Sequence, residues 1–445
     1  MKKYLLILSL LALAATAASA QQSNKSKSKD RYREKDTAVQ PDTRESSERL
    51  SGLRLLAESE LPQVVRVLSD AVQQNGALPA VGSRYFGYAL LAGHETNARF
   101  QSKVSSLQGA LRGMPIPQSF INTDAVFHPF AALWAVLETG RNFFPSNSTF
   151  SEKQAALEQT FRDKGLDEQM LAQSKIAAQD IARSILEYAA SDGFQQLAST
   201  VRNRTGINPT AVNPEVAKGM GSEGVAFRPF FMESAQPFAL AVPMPFDTSA
   251  GSAFMMQVRE VYETGQNQTV EQRAAAEFWD TKINTLSGQW LAICSAACAE
   301  QKVPFNQAMR THAVVAIAMA DAYLVCWEEQ GRNRRELPQT VINRTLDTEW
   351  KPLLEGSAGL EYASDHSVVS AAAAEVLTRL VGDKIAATNQ IGGLSRRFTS
   401  FRQAAAEASA SRLYGGVQYR DVLDAGLQSG RRLGEFVVRQ LPVDQ

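Results

Sequence analysis

The sequence predicts an all-α protein, a bundle of amphipathic helices, and three observations carry that expectation. Apolar residues recur at three-to-four spacing, as in Leu53, Leu55 and Leu56, then Val64, Val65, Val67 and Leu68, and again from Ile176 to Ala190. Strand-type alternation over several residues is hard to find anywhere. Proline and glycine gather in a few short stretches, at 113–118, 145–148 and 208–224, which mark loops.

Taken in order, the chain begins with Lys2 and Lys3, an apolar run from Leu5 to Leu13, and a small-residue end, Ala18-Ser19-Ala20. That is the pattern of a secretory signal peptide over residues 1–20, with cleavage after Ala20. Its apolar core is shorter than the roughly 20 residues a membrane span needs. The mature chain is therefore expected to start at Gln21 and to be exported, to the periplasm or outside the cell. No cysteine follows the small-residue end, so no lipid anchor is expected there. Residues 21–47 are nearly devoid of apolar side chains and cannot offset the entropy of ordering, so they read as a flexible polar leader. An N-terminal helical region is expected over 48–210 and a C-terminal one over 211–445.

Within the second region, Arg228 to Asp247 carries Pro229, Pro237, Pro243 and Pro245 and reads as a long irregular connection. Helical patterns resume through Val270–Trp279, Gln289–Ala299, Asn306–Glu329, Ser367–Val381, Phe401–Leu413 and Tyr419–Leu441. In the last of these, Gly426, Gly430 and Gly434 fall on one face. Each glycine costs a helix roughly 1 kcal/mol relative to alanine, so the stripe predicts a second backbone packed closely against it.

Composition excludes some functions. Lys and Arg number 46 and Asp and Glu number 46, so loss of Lys2 and Lys3 leaves a nearly neutral mature chain. A dedicated nucleic-acid protein would show a basic excess. No mature segment reads as a transmembrane helix. The most apolar one, His312 to Trp327, is short and carries Asp321, as a buried core helix does. Cys294 and Cys298 stand four apart on a helix, too far for easy bridging, and read as small buried residues. Whether Cys326 pairs with either is open from the sequence.

Several enzyme motifs are missing. His94-Glu95 would begin a zinc-protease helix, but Ala98 stands where the second histidine belongs. No nucleophile elbow, phosphate-binding loop or dinucleotide fingerprint occurs. His94, His128 and His312 lack a histidine, cysteine or carboxylate at ligand spacing, so no metal site is expected. Three stretches do stand out: Cys326-Trp327-Glu328-Glu329-Gln330 through Leu337-Pro338-Gln339-Thr340; Glu361-Tyr362-Ala363-Ser364-Asp365-His366-Ser367; and Ser411-Arg412-Leu413-Tyr414-Gly415-Gly416-Val417-Gln418-Tyr419-Arg420.

These resemble the three signature segments of the vanadium haloperoxidase and type-two phosphatidic acid phosphatase superfamily: Lys, six residues, Arg-Pro; Pro-Ser-Gly-His; and Ser-Arg, five residues, His. Ser83-Arg84-Tyr85 with Gly87-Tyr88-Ala89, Phe227-Arg228-Pro229-Phe230 and Phe278-Trp279-Asp280 fall in the expected order, so the resemblance covers about 50–445. It implies the helical-bundle architecture of that family. It also implies a pocket in which cations surround a phosphate or vanadate, a serine and a glycine amide donate hydrogen bonds at a helix N-terminus, one histidine acts as acid and base, and a second bonds phosphorus or vanadium.

Carried over position by position, the match is incomplete. Ser364, His366 and Arg412 keep the family's serine, acid/base histidine and arginine. Gln330 replaces the lysine, Leu337 the first arginine, Ala363 the proline, Asp365 the glycine and Gln418 the nucleophilic histidine. A charge-assisted hydrogen bond is worth roughly 1.5–3 kcal/mol, so losing two cationic donors removes on the order of 3–6 kcal/mol of anion binding. Gln418 has no nitrogen lone pair to form a phospho-enzyme or hold vanadate. The implied protein is catalytically impaired, needs no cofactor where active relatives use vanadate, and is retained as a binding or structural protein. Its partner would be a small ligand or phosphate ester. The alternative is a phosphomonoesterase with a rearranged pocket, in which Arg332, Arg334 or Arg335 supplies the missing charge and His366 activates water. A third reading is a carrier whose pocket, helped by Asp365, takes a neutral or cationic ligand.

Overall fold

The computed structural model describes residues 43–193 and 228–443, apart from 283, 334, 356–360, 386–387 and 392. The signal peptide, most of the polar leader, the 208–224 loop and Phe227 lie outside the described residues. The described residues form thirteen α-helices and one small hairpin. The first five helices are α1 (Thr43–Asn75), α2 (Pro79–Phe100), α3 (His128–Phe143), α4 (Thr149–Asp163) and α5 (Glu168–Ala190). After the connection at 228–247, which holds only a short turn of 3-10 helix at Gln236–Phe238, come α6 (Ala253–Gln266), α7 (Val270–Phe278), α8 (Leu286–Glu300), α9 (Phe305–Arg332) and α10 (Pro338–Thr345). The chain ends with α11 (Asp365–Leu380), α12 (Phe401–Tyr414) and α13 (Arg420–Gln440).

Helix α9 is the centre of the bundle. It packs against α2 on one side and α11 on the other. It is long and apolar enough to cross a membrane, yet its apolar stretch is wholly buried inside the protein, as the sequence led one to expect for a core helix. Its fully buried carboxylate Asp321 accepts the backbone N–H groups of Phe230 at 2.7 Å and Phe231 at 2.8 Å. That contact fastens the proline-rich connection to the core, where its backbone donors would otherwise be buried without partners. One apolar core runs from Leu53 to Val437 and draws on helices from both sequence regions.

The glycine stripe meets the backbone it predicted. An added Cβ at Gly430 would overlap Val368 O and stand 2.8 Å from Ala371 Cβ, and one at Gly426 would stand 2.6 Å from Ser367 Cβ. One at Gly434 would stand 2.7 Å from Glu375 Cβ and 2.8 Å from Ala372 O. The three glycines thus let α13 lie directly on α11. Ala371 and Ala372 supply part of the opposing surface.

The hairpin is the departure from an all-helical chain. Thr388–Ile391 pairs antiparallel with Leu394–Arg397, Thr388 opposite Arg397. Four residues a side are too few for an alternation to be read in the sequence. Cys294, Cys298 and Cys326 are all free and buried, which closes the pairing left open above.

Candidate ligand pocket

Local sequence chemistry brings the three motif segments to one place. Helix α11 starts where Ser364 caps it, its Oγ accepting from the Ser367 N–H at 3.3 Å. Helix α12 starts at a Ser400 cap and ends in the Gly415-Gly416 turn, with Gly416 at a φ of +78° that favours glycine. Helix α10 starts at Pro338, whose missing N–H costs nothing in a first turn. Helix α8 is capped by Thr285, which accepts from the Gly288 N–H at 3.0 Å.

Between these ends lies a cavity of about 390 Å³. Gln330, Ala363, Asp365, His366, Arg412 and Gln418 line it, so six of the eight positions carried over from the motifs share one cavity. Leu78, Pro79, Leu286, Trp327 and Val417 give it apolar surface, and Ser83 and Asp280 add polar groups. Two expected positions are not on the wall. Ser364 is fully buried, its Oγ accepting from the Ser367 N–H and from the Ser367 hydroxyl at 3.0 Å, which is itself 2.7 Å from Ser409 Oγ. Leu337 caps α10 outside the lining.

Arg412 is the only lysine or arginine that lines it among the described residues. It is buried; desolvation lowers its pKa to about 10, against the opposing pull of Asp280, so it stays cationic at neutral pH. Its Nε donates to Ser411 Oγ at 3.3 Å, and its Nη2 is buried without a partner. His366 Nε2 lies 3.0 Å from the carbonyl of Trp279, which can only accept, so that nitrogen carries the proton. Burial first, and Arg412 second, hold the ring's pKa well below the usual histidine range, leaving a neutral imidazole. Asp365 sits in the first turn of α11; burial raises its carboxyl to about 6, opposed by a hydrogen bond from Cys326.

Gln418 is oriented by its neighbour. Nε2 donates to Glu361 O at 2.9 Å, and Oε1 is buried without a partner. The reverse orientation would set two oxygens against each other. Gln330 makes only a long contact, 3.5 Å from Nε2 to Ala363 O.

The arginines that could have replaced the lost cations are committed elsewhere. Arg335 is buried, its Nε donating to Glu361 at 2.6 Å and its two terminal nitrogens to Asp421 at 2.6 and 2.7 Å. Glu361 also accepts the Tyr419 N–H at 2.9 Å, so this group braces the turn before α13. Arg332 pairs with Glu328 and Glu329 on the surface side, and Arg334 lies outside the described residues.

Sequence reasoning missed Asp280, which faces Arg412 electrostatically, and Trp279, whose carbonyl fixes the His366 tautomer. Both fall in a segment singled out only for its order along the chain. The early Ser83-Arg84-Tyr85 segment divides: Ser83 reaches the cavity, whereas Arg84 turns into the core and pairs with Asp192 at 2.7 Å.

Comparison with known proteins agrees with this geometry. Residues 310–442 match the VCPO second helical-bundle domain. Among solved structures, a bacterial vanadium-dependent iodoperoxidase is similar at 29% identity and a TM-score of 0.77, over 87% of this chain and 97% of that one. A bacterial vanadium-dependent chloroperoxidase in its holo form shares 16% identity at a TM-score of 0.59, over 81% of this chain and 92% of that one. Its apo form gives 16% and 0.58, over 81% and 93%. At that lower identity the likeness is one of fold. No curated protein matches the sequence.

Proposed function

This chain resembles the vanadium haloperoxidase and type-two phosphatidic acid phosphatase superfamily, and from that premise we propose that it is an exported ligand-binding relative without the family's covalent or vanadate chemistry. The observation that carries the reading is the cavity wall itself, where, among the described residues, one guanidinium, Arg412, stands among Asp280, Glu355, Asp365 and neutral groups. The donor set does not fit vanadate. The amide nitrogen of Gln418 has no lone pair and is already donated to Glu361 O. Ser364 Oγ accepts within the α11 cap and lies off the cavity lining, and Arg335 is held by two carboxylates. A compact oxyanion would meet one cation and the Asp365 carboxylate at close range.

The wall suits a different guest. A cavity of about 390 Å³ with an apolar side accommodates a small organic molecule. Arg412 and Gln418, both on the lining, each keep one polar atom without a protein partner, the donor Nη2 and the acceptor Oε1. A neutral or singly charged ligand is therefore favoured over a phosphate ester. Export rests on the signal pattern of residues 1–20.

Purified protein should show no vanadate-dependent halide oxidation and negligible hydrolysis of a generic phosphate ester. Intact-mass measurement of the exported protein should give a chain starting at Gln21. One observation favours the second reading, a single-step phosphomonoesterase. His366 is neutral, its proton is on Nε2, and its other nitrogen is free to accept a proton from water. Turnover on the order of 1 s⁻¹, an ordinary enzyme rate, that disappears in His366→Ala would establish that reading and defeat ours.

A further inference from the structure

We propose a structural zinc site in the core, held by Cys294, Cys298 and His312 and separate from the cavity. The two thiol sulfurs and a ring nitrogen of His312 all lie within 4.8 Å of one another. Four-residue spacing on α8 puts both thiols on one face. Helix α8 packs against α9, which brings His312 to them.

The histidine is already set as a ligand. Its Nδ1 is 2.7 Å from Ala308 O, a carbonyl that only accepts, so Nδ1 carries the proton and Nε2 the lone pair. Metal-bound histidines are oriented in this way, by a second-sphere carbonyl on the far nitrogen. Without an ion, Nε2 accepts from Ser295 Oγ at 2.8 Å. The ion takes that lone pair once the Ser295 hydroxyl has turned aside, and the three side chains leave the fourth position to a water.

Charge and softness select the ion. Two thiolates and a neutral imidazole cancel the charge of Zn²⁺, so the burial of all three side chains leaves no net charge in the core. Copper(I) would leave one negative charge there, and magnesium or calcium prefer oxygen ligands. Each thiol gives up its proton to solvent as its sulfur–zinc bond forms. Tetrahedral zinc holds such ligand atoms about 3.6 Å apart, so closure by roughly 1 Å brings the three to ligand spacing.

The test uses the full mature protein, reduced and then titrated with Zn²⁺ or Co²⁺. Elemental analysis after dialysis should give about one zinc per chain, and cobalt should produce thiolate-to-metal absorption. Cys298→Ser should lower the zinc retained at least about tenfold while Cys326→Ser keeps it, both checked for helicity by circular dichroism. Should Cys298→Ser fail to fold, protection of two wild-type thiols from alkylation by added zinc replaces it as the readout. Wild-type protein that takes up neither ion, or takes up only copper(I), overturns the proposal. So does equal zinc loss in the folded Cys298→Ser and Cys326→Ser variants.

Discussion

At position 418 a carboxamide donates its nitrogen to Glu361 O and leaves its oxygen without a partner. An imidazole there could donate one ring N–H to the same carbonyl and keep the other nitrogen for a ligand. Gln418→His alone should still bind vanadate poorly, because Arg412 remains the only cation on the wall. Adding Gln330→Lys and Asp365→Gly supplies one cation and removes one anion, which should tighten vanadate binding at least about a hundredfold by calorimetry. Leu337→Arg should contribute least, since that position lies off the wall. A folded triple variant that binds no tighter than wild type would mean that the pocket backbone is no longer the family's. Asp365 also makes stability depend on pH. Its folded pKa of about 6 is above the ordinary aspartate value, so the folded state holds the proton more tightly. Its contribution is present below about pH 4 and is lost as pH rises through about 6, a swing on the order of 2–3 kcal/mol. Urea midpoints of wild type should fall over that window relative to Asp365→Asn; parallel curves would refute the assignment.

The contact between α11 and α13 sets where the second and third motif segments stand relative to each other. Gly430→Ala would press a methyl group into Val368 O, and packing strain of about 1–3 kcal/mol should outweigh alanine's better helix propensity. At Gly52, exposed on α1 with nothing within 4 Å, the same substitution should be neutral or stabilising. Equal effects of the two variants on the thermal midpoint would count against close packing as the reason for the stripe. A second tie acts on the same elements. Arg335 joins the segment before α10 to Glu361 before α11 and to Asp421 at the start of α13. Arg335→Met would leave two carboxylates facing each other. It should cost about 3–5 kcal/mol, as breaking one side of a buried ion pair does, read as a loss of urea midpoint. An unchanged midpoint would show that the pairs contribute nothing net.

Across the whole molecule, the helices and most of the pocket were legible in the sequence. The 3.6-residue period and the caps are local, and a motif's spacing records which helix ends must meet. What a motif does not record is where each side chain turns. Ser364 is spent on its own helix cap, and Leu337 begins a helix away from the cavity. Partners far apart in sequence were not readable either: Asp280 with Arg412, and Arg335 with Asp421. His312 was set aside because ligand-spacing rules look along one helix, whereas its cysteines are on the preceding one. The main core from Leu53 to Val437, shared by helices of both, implies that the regions 48–210 and 211–445 do not unfold separately. Helicity and tryptophan emission should be lost together in one transition, and two separated midpoints would contradict this. The five tryptophans have a further use, because Trp327 stands on the cavity wall. The molecule carries its own optical reporter at the pocket, and a compound library can be screened for the unknown guest by emission alone, with no label and no assay of turnover.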